Sequence, residues 1–148
     1  MRAVIQRVSG GSVSIDQAEV ARIHAGFIVL LGVAVEDTIK EAEDMAEKVA
    51  HLRIFSDEAG KMNLSILDVG GEAIVVSQFT LLADASRGRR PSYIHAARPE
   101  TAIPLYEHFT QCLREYGVPT QTGKFGADML VEIKNDGPVT IVLDLPLK

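Results

Sequence analysis

The chain has 148 residues, of which 47% are hydrophobic and 24% charged, a balance typical of a single globular domain over residues 1–148. Its formal net charge of −5 argues against a protein that coats nucleic acid non-specifically, because such binding depends on neutralising phosphates. The longest apolar run, residues 26–35, is about half as long as a membrane span requires, so no membrane partner is expected. Cys112 is the only cysteine, which excludes an internal disulfide and leads us to expect a protein of the reducing cytoplasm.

The first 33 residues predict a run of β-strands. Residues 2–8 alternate in part between apolar and polar side chains, and Gly10-Gly11 is expected to end that strand. Residues 12–23 predict a hairpin whose turn is Asp16-Gln17. Residues 27–33 are apolar throughout, which predicts a central strand that is covered on both faces.

A capping box predicts the start of the first helix. Thr38 supplies the cap, Glu41 reaches back to it, and the helix is expected to run to about Arg53. Its apolar residues recur at helical spacing and form one stripe, which consists of Ala42, Met45, Ala46, Val49 and Leu52. Residues 53–55 then predict a short strand, and residues 56–61 predict a turn.

Proline and glycine mark the two ends of a second helix. Pro99 fits the first helical turn, and Gly117 is expected to stop the helix. Pro104 lies inside this pattern and is expected to kink the helix or to mark its true start. The expected buried face, with Cys112 beside it, consists of Ile103, Tyr106, Phe109, Leu113 and Tyr116.

The last third of the chain predicts strands and turns. Residues 129–133 and 139–144 are strand candidates, and residues 135–138 between them form a turn signal. The whole pattern therefore predicts an α+β fold. We expect a single compact domain in which largely antiparallel β-sheets form a barrel-like core with two main helices.

The common catalytic and metal-binding signatures are missing from the sequence. The four histidines do not stand at metal-ligand spacing from one another or from Cys112, so we expect no metal site and no cofactor. Ser77 lacks the G-x-S-x-G elbow of serine hydrolases, and no glycine-rich phosphate-binding loop occurs. Cys112, beside the buried face of a helix, is interpreted as a small apolar side chain rather than a nucleophile.

A polar segment follows the predicted buried strand of residues 73–76. Ser77, Gln78 and Thr80 stand where this strand ends, and polar side chains that are buried there need partners. Either they bond to the local backbone and close the strand, or they face a ligand. The residues of this segment alone leave both interpretations open.

Two further segments stand out for their chemistry. The polar loop of residues 84–91 contains a basic cluster, Arg87-Gly88-Arg89-Arg90, which is either a solvated loop or a phosphate site. Gly137-Pro138 combines a residue that has no side chain with one that has no N–H. Such a dipeptide can bring bare carbonyl groups close to a ligand, but the residues alone favour a plain turn, because few X-Pro bonds are cis.

Together these segments resemble the D-aminoacyl-tRNA deacylases, also called D-tyrosyl-tRNA deacylases. The resemblance spans nearly the whole chain in the right order, and its most specific part is the pair of segments 77–80 and 135–140. Tyr93 and Leu82 stand where the family more often has phenylalanine and an aromatic residue, respectively. The other matching segments are residues 1–8, 52–55, 60–63, 88–92 and 123–129.

The resemblance implies a hydrolase that cleaves the carboxylic ester between a D-amino acid and the 3′-terminal adenosine of tRNA. By rejecting L-aminoacyl esters, such an enzyme proofreads chirality in translation quality control, and we expect glycyl-tRNA to be hydrolysed too. The implied partners are aminoacyl-tRNA and a second copy of the chain, with two active sites at the homodimer interface. The rival functions are a Thr80-dependent hydrolase of other small esters or amides and a module that binds RNA 3′ ends without chemistry.

The resemblance also implies which residues form the site. The catalytic segment is Ser77, Gln78, Phe79 and Thr80, and backbone N–H groups near Gln78 and Phe79 are expected to hold the developing oxyanion. Thr80 acts either as a nucleophile or only to position the substrate, and we favour a route in which the ribose 2′-hydroxyl helps water to attack. The remaining implied contacts are Phe125 and Met129 for substrate, and Gly137 and Pro138 in cis from the partner subunit. For Arg87, Arg89 and Arg90 two roles stay open, namely contact with tRNA and a place in the dimer interface.

Overall fold

The computed structural model describes residues 1–146. The strands are β1 (Arg2–Ile15), β2 (Ala18–Ile23), β3 (Gly26–Gly32), β4 (Phe55–Ser56), β5 (Met62–Leu64), β6 (Glu72–Ser77), β7 (Thr120–Thr122) and β8 (Leu130–Asp144). The helices are α1 (Ile39–His51), α2 (Ile66–Val69) and α3 (Pro99–Tyr116), and a 3₁₀ turn spans Phe79–Leu82. Within the described residues, no helix is long and apolar enough to cross a membrane.

Six strands form one mixed sheet that curves into a nearly closed barrel. The hydrogen-bonded order is β2-β1-β3-β6-β7. The long strand β1 pairs with β3 through residues 2–8, with β2 through residues 11–15, and with β8 along residues 2–14. β1 is antiparallel to β2, β3 and β8, whereas β6 is parallel to both β3 and β7. β4 and β5 form a small antiparallel pair. The expected α+β class with a barrel-like core is confirmed.

Gln121 on β7 links the two ends of this strand order. Its side-chain amide donates to the backbone carbonyl of Arg22 on β2 at 2.7 Å and accepts from the Arg22 N–H at 3.0 Å. A single side chain thereby supplies the two hydrogen bonds that a paired backbone residue would make. This seam holds β7, and the segment that follows it, against the rest of the barrel.

The expected strand break at Gly10-Gly11 is wrong, because β1 continues without interruption to Ile15. A Cβ at Gly11 would lie 2.6 Å from Cδ1 of Ile28 and 3.0 Å from the Glu132 carbonyl oxygen. Glycine is needed here because neighbouring elements approach the strand closely, not because the chain turns.

The predicted hairpin and the predicted central strand are both confirmed. Asp16 and Gln17 have φ values of 49° and 66°, as a two-residue type I′ turn between β1 and β2 requires. β3 lies between β1 and β6, and all of its residues except Leu30 are buried. Leu30 is half-buried on the face of the sheet that faces away from α1 and α3.

Two apolar clusters cover the two faces of β3. The larger cluster joins the sheet to α1 and α3 and contains Phe27, Met45 and Phe109. The smaller cluster lies on the opposite face and contains Ile28 and Ile74. Because successive side chains of a strand point to opposite faces, the uninterrupted apolar run of β3 supplies both clusters.

The first helix follows the prediction closely. α1 begins after Thr38, whose N–H and hydroxyl lie 3.4 Å and 2.7 Å from the Glu41 carboxylate. The helix ends at His51, two residues before the expected end. The predicted stripe is buried within the helix, while Leu52 lies past its end and is half-buried.

The second helix matches its predicted bounds but not the whole of its predicted buried face. Ile103 is half-buried and Tyr116 is 41% exposed. Tyr116 lies in the last turn, where its ring meets that of His51 edge-on at 5.2 Å instead of entering the core. Pro104 is exposed, and α3 continues through it.

The segment between α1 and β6 contains two elements that the sequence did not predict, β5 and α2. Ser65 caps α2: its hydroxyl accepts from the Asp68 N–H at 3.2 Å, and its own N–H donates to the Asp68 carboxylate at 2.9 Å. Both elements are too short for a hydrophobic period to show. The short strand expected at residues 53–55 lies slightly later, at Phe55–Ser56.

Candidate active site

The buried strand β6 leads into a tight turn beside the end of β3. The Gln78 N–H donates to the Leu31 carbonyl at 2.8 Å, which continues the β3–β6 pairing, and the 3₁₀ turn follows directly. Gly32 makes room for this turn, since a Cβ there would lie 2.4 Å from Cδ2 of Leu82 and 3.0 Å from the Gln78 carbonyl oxygen. Glycine at the end of β3 therefore determines how closely the polar segment lies against the sheet.

A cavity of about 570 Å³ opens beside this polar segment. The ends of β3 and β6, the first residues of the 3₁₀ turn, residues 93–102 and residues 125–129 all contribute to its lining. Most of the lining side chains are apolar or aromatic, and Arg98 and Asp128 are charged. A concave, largely apolar cavity with a few polar groups at one side is typical of a ligand-binding site.

Backbone hydrogen bonds hold one wall of the cavity against the sheet. The Ala97 N–H donates to the Val33 carbonyl at 2.9 Å, and the Val35 N–H donates to the His95 carbonyl at 3.0 Å. These bonds flank an isolated antiparallel bridge that connects residues 34 and 96. The wall is therefore fixed to the segment that follows β3, although no regular strand extends through it.

The opposite wall depends on Tyr106 and on the segment after β7. Burial raises the pKa of Tyr106, so its hydroxyl stays protonated and donates to the Val75 carbonyl at 2.6 Å. Its ring meets Phe125 edge-on, with the ring centroids 6.4 Å apart. A Cβ at Gly123 would lie 2.3 Å from Sδ of Met129, so the absence of a side chain there lets Met129 approach β7.

The structure brings five of the predicted site residues to this cavity: Ser77, Gln78, Phe79, Phe125 and Met129 all line it. Phe79 is 54% exposed, and its ring meets that of Tyr93 edge-on at 5.2 Å. The end of β6 and the segment after β7 are far apart in the sequence, and the parallel pairing of β6 with β7 brings them together. The cavity thus combines the two segments that the resemblance assigned to one site.

Thr80 does not line the cavity. Its hydroxyl oxygen accepts a hydrogen bond from the side-chain amide N–H of Gln78. Within residues 1–146 its hydroxyl bonds to no histidine and no carboxylate, so the base that a nucleophilic hydroxyl needs is not in place. The structure places Thr80 behind Gln78, as the acceptor that orients the Gln78 amide.

The expectation that the Gln78 N–H serves the oxyanion is wrong, because that N–H already donates to the Leu31 carbonyl. The N–H of Phe79 has no acceptor among residues 1–146. It is the first N–H of the 3₁₀ turn, and the first N–H groups of a helical segment have no partner inside it. The N–H of Phe79 is therefore available to a ligand oxygen.

Gly137 and Pro138 lie outside the cavity of their own chain, on a bulge of β8. Residues 136–139 of β8 stand opposite the single residue Arg7 of β1, because the pairing shifts register between Gln6 and Val8. Gly137 and Pro138 are both exposed, and the peptide bond between them is cis, as the resemblance implies. The dipeptide is accordingly presented to the surroundings of the chain rather than to its own cavity.

Arg7 anchors this bulge. Its side chain is buried, donates to the Ile54 carbonyl at 2.7 Å, and has its Nε 3.1 Å from Oδ2 of Asp136. The side chains of Arg7 and Asp136 are 10% and 54% exposed, so a buried cation is paired with a carboxylate at the surface. This ion pair fixes the residue that directly precedes Gly137.

The Arg-rich loop begins and ends at a backbone bridge. The N–H of Asp84 donates to the Ser92 carbonyl and the N–H of Ser92 donates to the Asp84 carbonyl, each at 2.8 Å. Hydrogen bonds from the hydroxyl and the backbone N–H of Ser86 hold the pKa of Asp84 below its usual value. The three arginines lie exposed between these ends and do not line the cavity: Arg87, Arg89 and Arg90.

Sequence reasoning missed several residues of the cavity, among them Ala97, Arg98, Tyr106 and Asp128. A signal was present for Asp128, which lies inside the matching segment 123–129. The others carried none, because Tyr106 has the spacing of a core residue and the wall at Ala97 forms through distant backbone contacts. Within the described part of the chain, no three His, Cys, Asp or Glu side chains are grouped so as to hold a metal ion.

Comparisons with known proteins agree on one family. The family model described as D-Tyr-tRNA(Tyr) deacylase matches residues 4–144. A D-aminoacyl-tRNA deacylase of Thermus aquaticus is 56% identical over 144 residues, which cover 97% of this chain and 95% of that protein. A D-aminoacyl-tRNA deacylase of Thermomicrobium roseum is 58% identical over 144 residues, covering 97% and 94%.

Two solved structures share the fold. One, of a c-Myc DNA Unwinding Element Binding Protein, has a TM-score of 0.94 and 43% sequence identity, and the match covers 99% of this chain and 100% of that one. The other, of a probable eukaryotic D-amino acid tRNA deacylase, has a TM-score of 0.84 at 16% identity, covers 97% and 98%, and bears on the fold alone. With these relatives and this family model, the chain is a deacylase, a hydrolase that acts on ester bonds. The chain belongs to the D-Tyr-tRNA(Tyr) deacylase family.

Proposed function

We propose that the protein hydrolyses the ester bond of D-aminoacyl-tRNA and releases a free D-amino acid and tRNA. The observation that carries this proposal is the cavity beside Ser77, Gln78 and Phe79, in a chain whose family match extends from residue 4 to residue 144. The relatives that are named D-aminoacyl-tRNA deacylases cover almost the whole chain. We further propose that residues 1–148 act as one domain, in the cytoplasm, in the quality control of translation.

The cavity is proposed to bind the 3′-terminal adenosine. Its volume of about 570 Å³ lies within the range of cavities that bind small organic ligands. Phe125 and Met129 provide an aromatic ring and a polarisable thioether for contact with the base, and stacking of a base on an aromatic ring contributes about 1–3 kcal/mol. The ester would then lie near the polar end of the cavity, beside Ser77, Gln78 and Phe79.

The active unit is proposed to be a homodimer in which each site combines two chains. Gly137 and Pro138 are exposed on a bulge and do not line the cavity of their own chain, so they are free to enter that of a partner. Exposed apolar side chains, which include Phe79, Leu130 and Val142, supply surface that a second chain would cover. In the proposed complex, bare carbonyl groups of the Gly137-Pro138 segment accept hydrogen bonds from the ammonium group of the substrate.

The proposed chemistry relies on positioning rather than on a protein nucleophile. The N–H of Phe79 stabilises the negative charge that develops on the ester carbonyl oxygen. Water attacks the carbonyl carbon with help from the ribose 2′-hydroxyl, the ester C–O bond breaks, and the 3′-oxygen of the tRNA leaves with a proton. Thr80 stays bonded to Gln78 throughout and takes no part in bond making.

Chirality is then selected by exclusion. Once the carbonyl oxygen and the ammonium group of the substrate are both held, the two remaining substituents on its Cα have fixed directions. A backbone wall formed by the partner's Gly-Pro segment would exclude the L side chain, while different D side chains project freely. Glycine has no side chain to exclude, so glycyl-tRNA is proposed as a second substrate.

Hydrolysis of D-tyrosyl-tRNA, L-tyrosyl-tRNA and glycyl-tRNA by the purified protein tests the proposal. We expect release from the D and glycyl substrates and none from the L substrate. Thr80→Val should retain substantial activity, whereas a substrate that ends in 2′-deoxyadenosine should react much more slowly.

Two results would replace this proposal by a rival function. Loss of all turnover in Thr80→Val would favour a Thr80-dependent esterase. Binding of tRNA without any release would favour a module that only holds nucleic acid, in keeping with the name of the similar c-Myc DNA Unwinding Element Binding Protein. The net charge of −5 disfavours that second outcome, because most of the surface would repel phosphates.

A further inference from the structure

We propose that the loop from Asp84 to Ser92 binds phosphates of the tRNA acceptor end and docks the substrate so that its terminal adenosine enters the cavity. This inference rests on the proposed function, because it assigns the remainder of the substrate to a surface next to the same site. It commits to RNA phosphate as the ligand.

The position of the loop is the first argument. The loop begins just after the 3₁₀ turn, whose residue Phe79 lines the cavity, and it ends directly before Tyr93, which also lines the cavity. The rings of Phe79 and Tyr93 touch each other edge-on at 5.2 Å. Both ends of the loop therefore lie next to residues that line the cavity, which places the loop beside the cavity.

The second argument is that hydrogen bonds fix the two ends of the loop to each other. Two backbone hydrogen bonds of 2.8 Å join Asp84 and Ser92, and the Asp84 carboxylate accepts from the Ser86 N–H at 2.9 Å. Pro91 restricts the backbone next to this bridge. A preorganised base lowers the entropy that binding must overcome, which is useful for contacts that position a large substrate.

Charge is the third argument. Arg87, Arg89 and Arg90 are exposed, and within residues 1–146 none of them forms an ion pair, although the chain as a whole carries a net charge of −5. Asp84 is the only acidic residue between positions 84 and 98, and Arg98 adds a fourth cation at the cavity itself.

The outer surface of α1 carries an excess of acidic groups, since Glu43, Asp44 and Glu47 are exposed there against Lys40 and Lys48. RNA is thus repelled from the α1 surface and attracted to the cavity mouth. Guanidinium groups suit this task because their planar arrangement of donors matches two phosphate oxygens at once.

The test compares two substrates that share the ester but differ in phosphates. D-Tyrosyl-tRNA carries the acceptor stem, whereas D-tyrosyl-adenosine carries none of its phosphates. The test variant replaces Arg87, Arg89 and Arg90 together by glutamine. The matched control replaces the same number of exposed cations away from the cavity by glutamine, at Lys40, Lys48 and Lys61.

The ratio of kcat/KM for D-tyrosyl-tRNA to that for D-tyrosyl-adenosine should fall roughly tenfold in the arginine variant at low salt. A plot of log kcat/KM against log salt for the tRNA substrate should become shallower by about two, since each lost phosphate contact removes about 0.7–0.9 from the slope. The lysine control should leave both the ratio and the slope unchanged.

Three results would overturn the inference. An unchanged ratio would show that the loop does not contact phosphates, and an equal loss in the lysine control would show an effect of net charge alone. Dissociation of the arginine variant into monomers, with loss of activity on both substrates, would assign the loop to the dimer interface. Hydrolysis of D-tyrosyl-adenosine by the unmodified protein tests the proposed function separately. If this substrate is not cleaved, the proposed function fails, whereas cleavage with an unchanged ratio contradicts only the phosphate contacts of the loop.

Discussion

Replacing Gly32 by alanine tests whether the placement of the polar segment controls activity. The new Cβ would lie 2.4 Å from Cδ2 of Leu82 and 3.0 Å from the Gln78 carbonyl oxygen. The leucine side chain has freedom to rotate away, but the carbonyl belongs to a backbone that the Gln78 N–H ties to Leu31 at 2.8 Å. Alanine therefore pushes the start of the 3₁₀ turn away from β3 by a few tenths of an ångström.

The expected magnitudes for Gly32→Ala differ between stability and activity. Overpacking of this kind costs about 1–3 kcal/mol of unfolding free energy, which lowers the Tm of a domain of this size by roughly 2–12 °C. Misplacement of reacting groups by about 1 Å costs as much as 100-fold in rate. We therefore expect kcat/KM for D-tyrosyl-tRNA to fall by roughly tenfold or more, because the Phe79 N–H moves with the turn.

Gly60→Ala is the matched control. Gly60 has a φ of 77°, and a Cβ at this position would have no atom within 4 Å, so alanine costs about 1–2 kcal/mol through the backbone alone, away from the cavity. Thermal unfolding and single-turnover hydrolysis of both variants separate the two effects. If Gly32→Ala loses stability like Gly60→Ala but keeps full activity, the placement of the turn against β3 does not matter for catalysis.

Three further substitutions test other parts of the structure. Asp136→Asn removes the charge that faces Arg7 and so loosens the residue that precedes Gly137. We expect the ratio of D- to L-tyrosyl-tRNA hydrolysis to fall, and a constant ratio would exclude a role for this ion pair in placing Gly137. Gln121→Leu removes the two hydrogen bonds between β7 and β2 and should lower the unfolding free energy by about 1–3 kcal/mol. Urea titration measures this change, and an unchanged value would show that these bonds do not stabilise the barrel. Pro104→Ala restores an N–H inside α3, so the Tm should rise, and a fall would mean that the exposed ring stabilises the helix.

Local patterns predicted the elements whose cause is local. Thr38 and Glu41 form the predicted capping box because the two residues need only each other. Asp16 and Gln17 form the predicted turn for the same reason. Gly10-Gly11 misled the prediction because glycine serves both turns and close packing, and the atoms that crowd Gly11 belong to Ile28 and Glu132 on other strands.

The candidate site was predictable to a similar degree. Polar residues at the end of a buried strand drew attention to Ser77 and Gln78, and the structure places both at the cavity. The wall at Ala97 was not predictable, since a backbone contact with Val33 creates it. The engagement of the Gln78 N–H was hidden for the same physical reason, because its acceptor, Leu31, lies on a neighbouring strand.

Subunit complementation tests the central claim, which is that each site combines the cavity of one chain with the Gly-Pro bulge of another. Ala127→Trp fills the cavity of its own chain, and Gly137→Leu blocks the bulge. A Cβ at Gly137 would meet its nearest atom, Nδ2 of Asn135, at an ordinary 3.5 Å, and Gly137 is exposed, so we expect the variant to fold. Each variant alone should form an inactive homodimer.

Co-expression of the two variants gives mixed dimers in which one site carries both substitutions and the other carries neither. The measurement is hydrolysis of D-tyrosyl-tRNA by the mixture and by each variant alone. The account predicts that the mixture regains roughly a quarter of the unmodified activity, because about half of the dimers are mixed and each has one intact site of two. A mixture that stays as inactive as the separate variants would show that cavity and bulge act within the same chain, and would contradict the account.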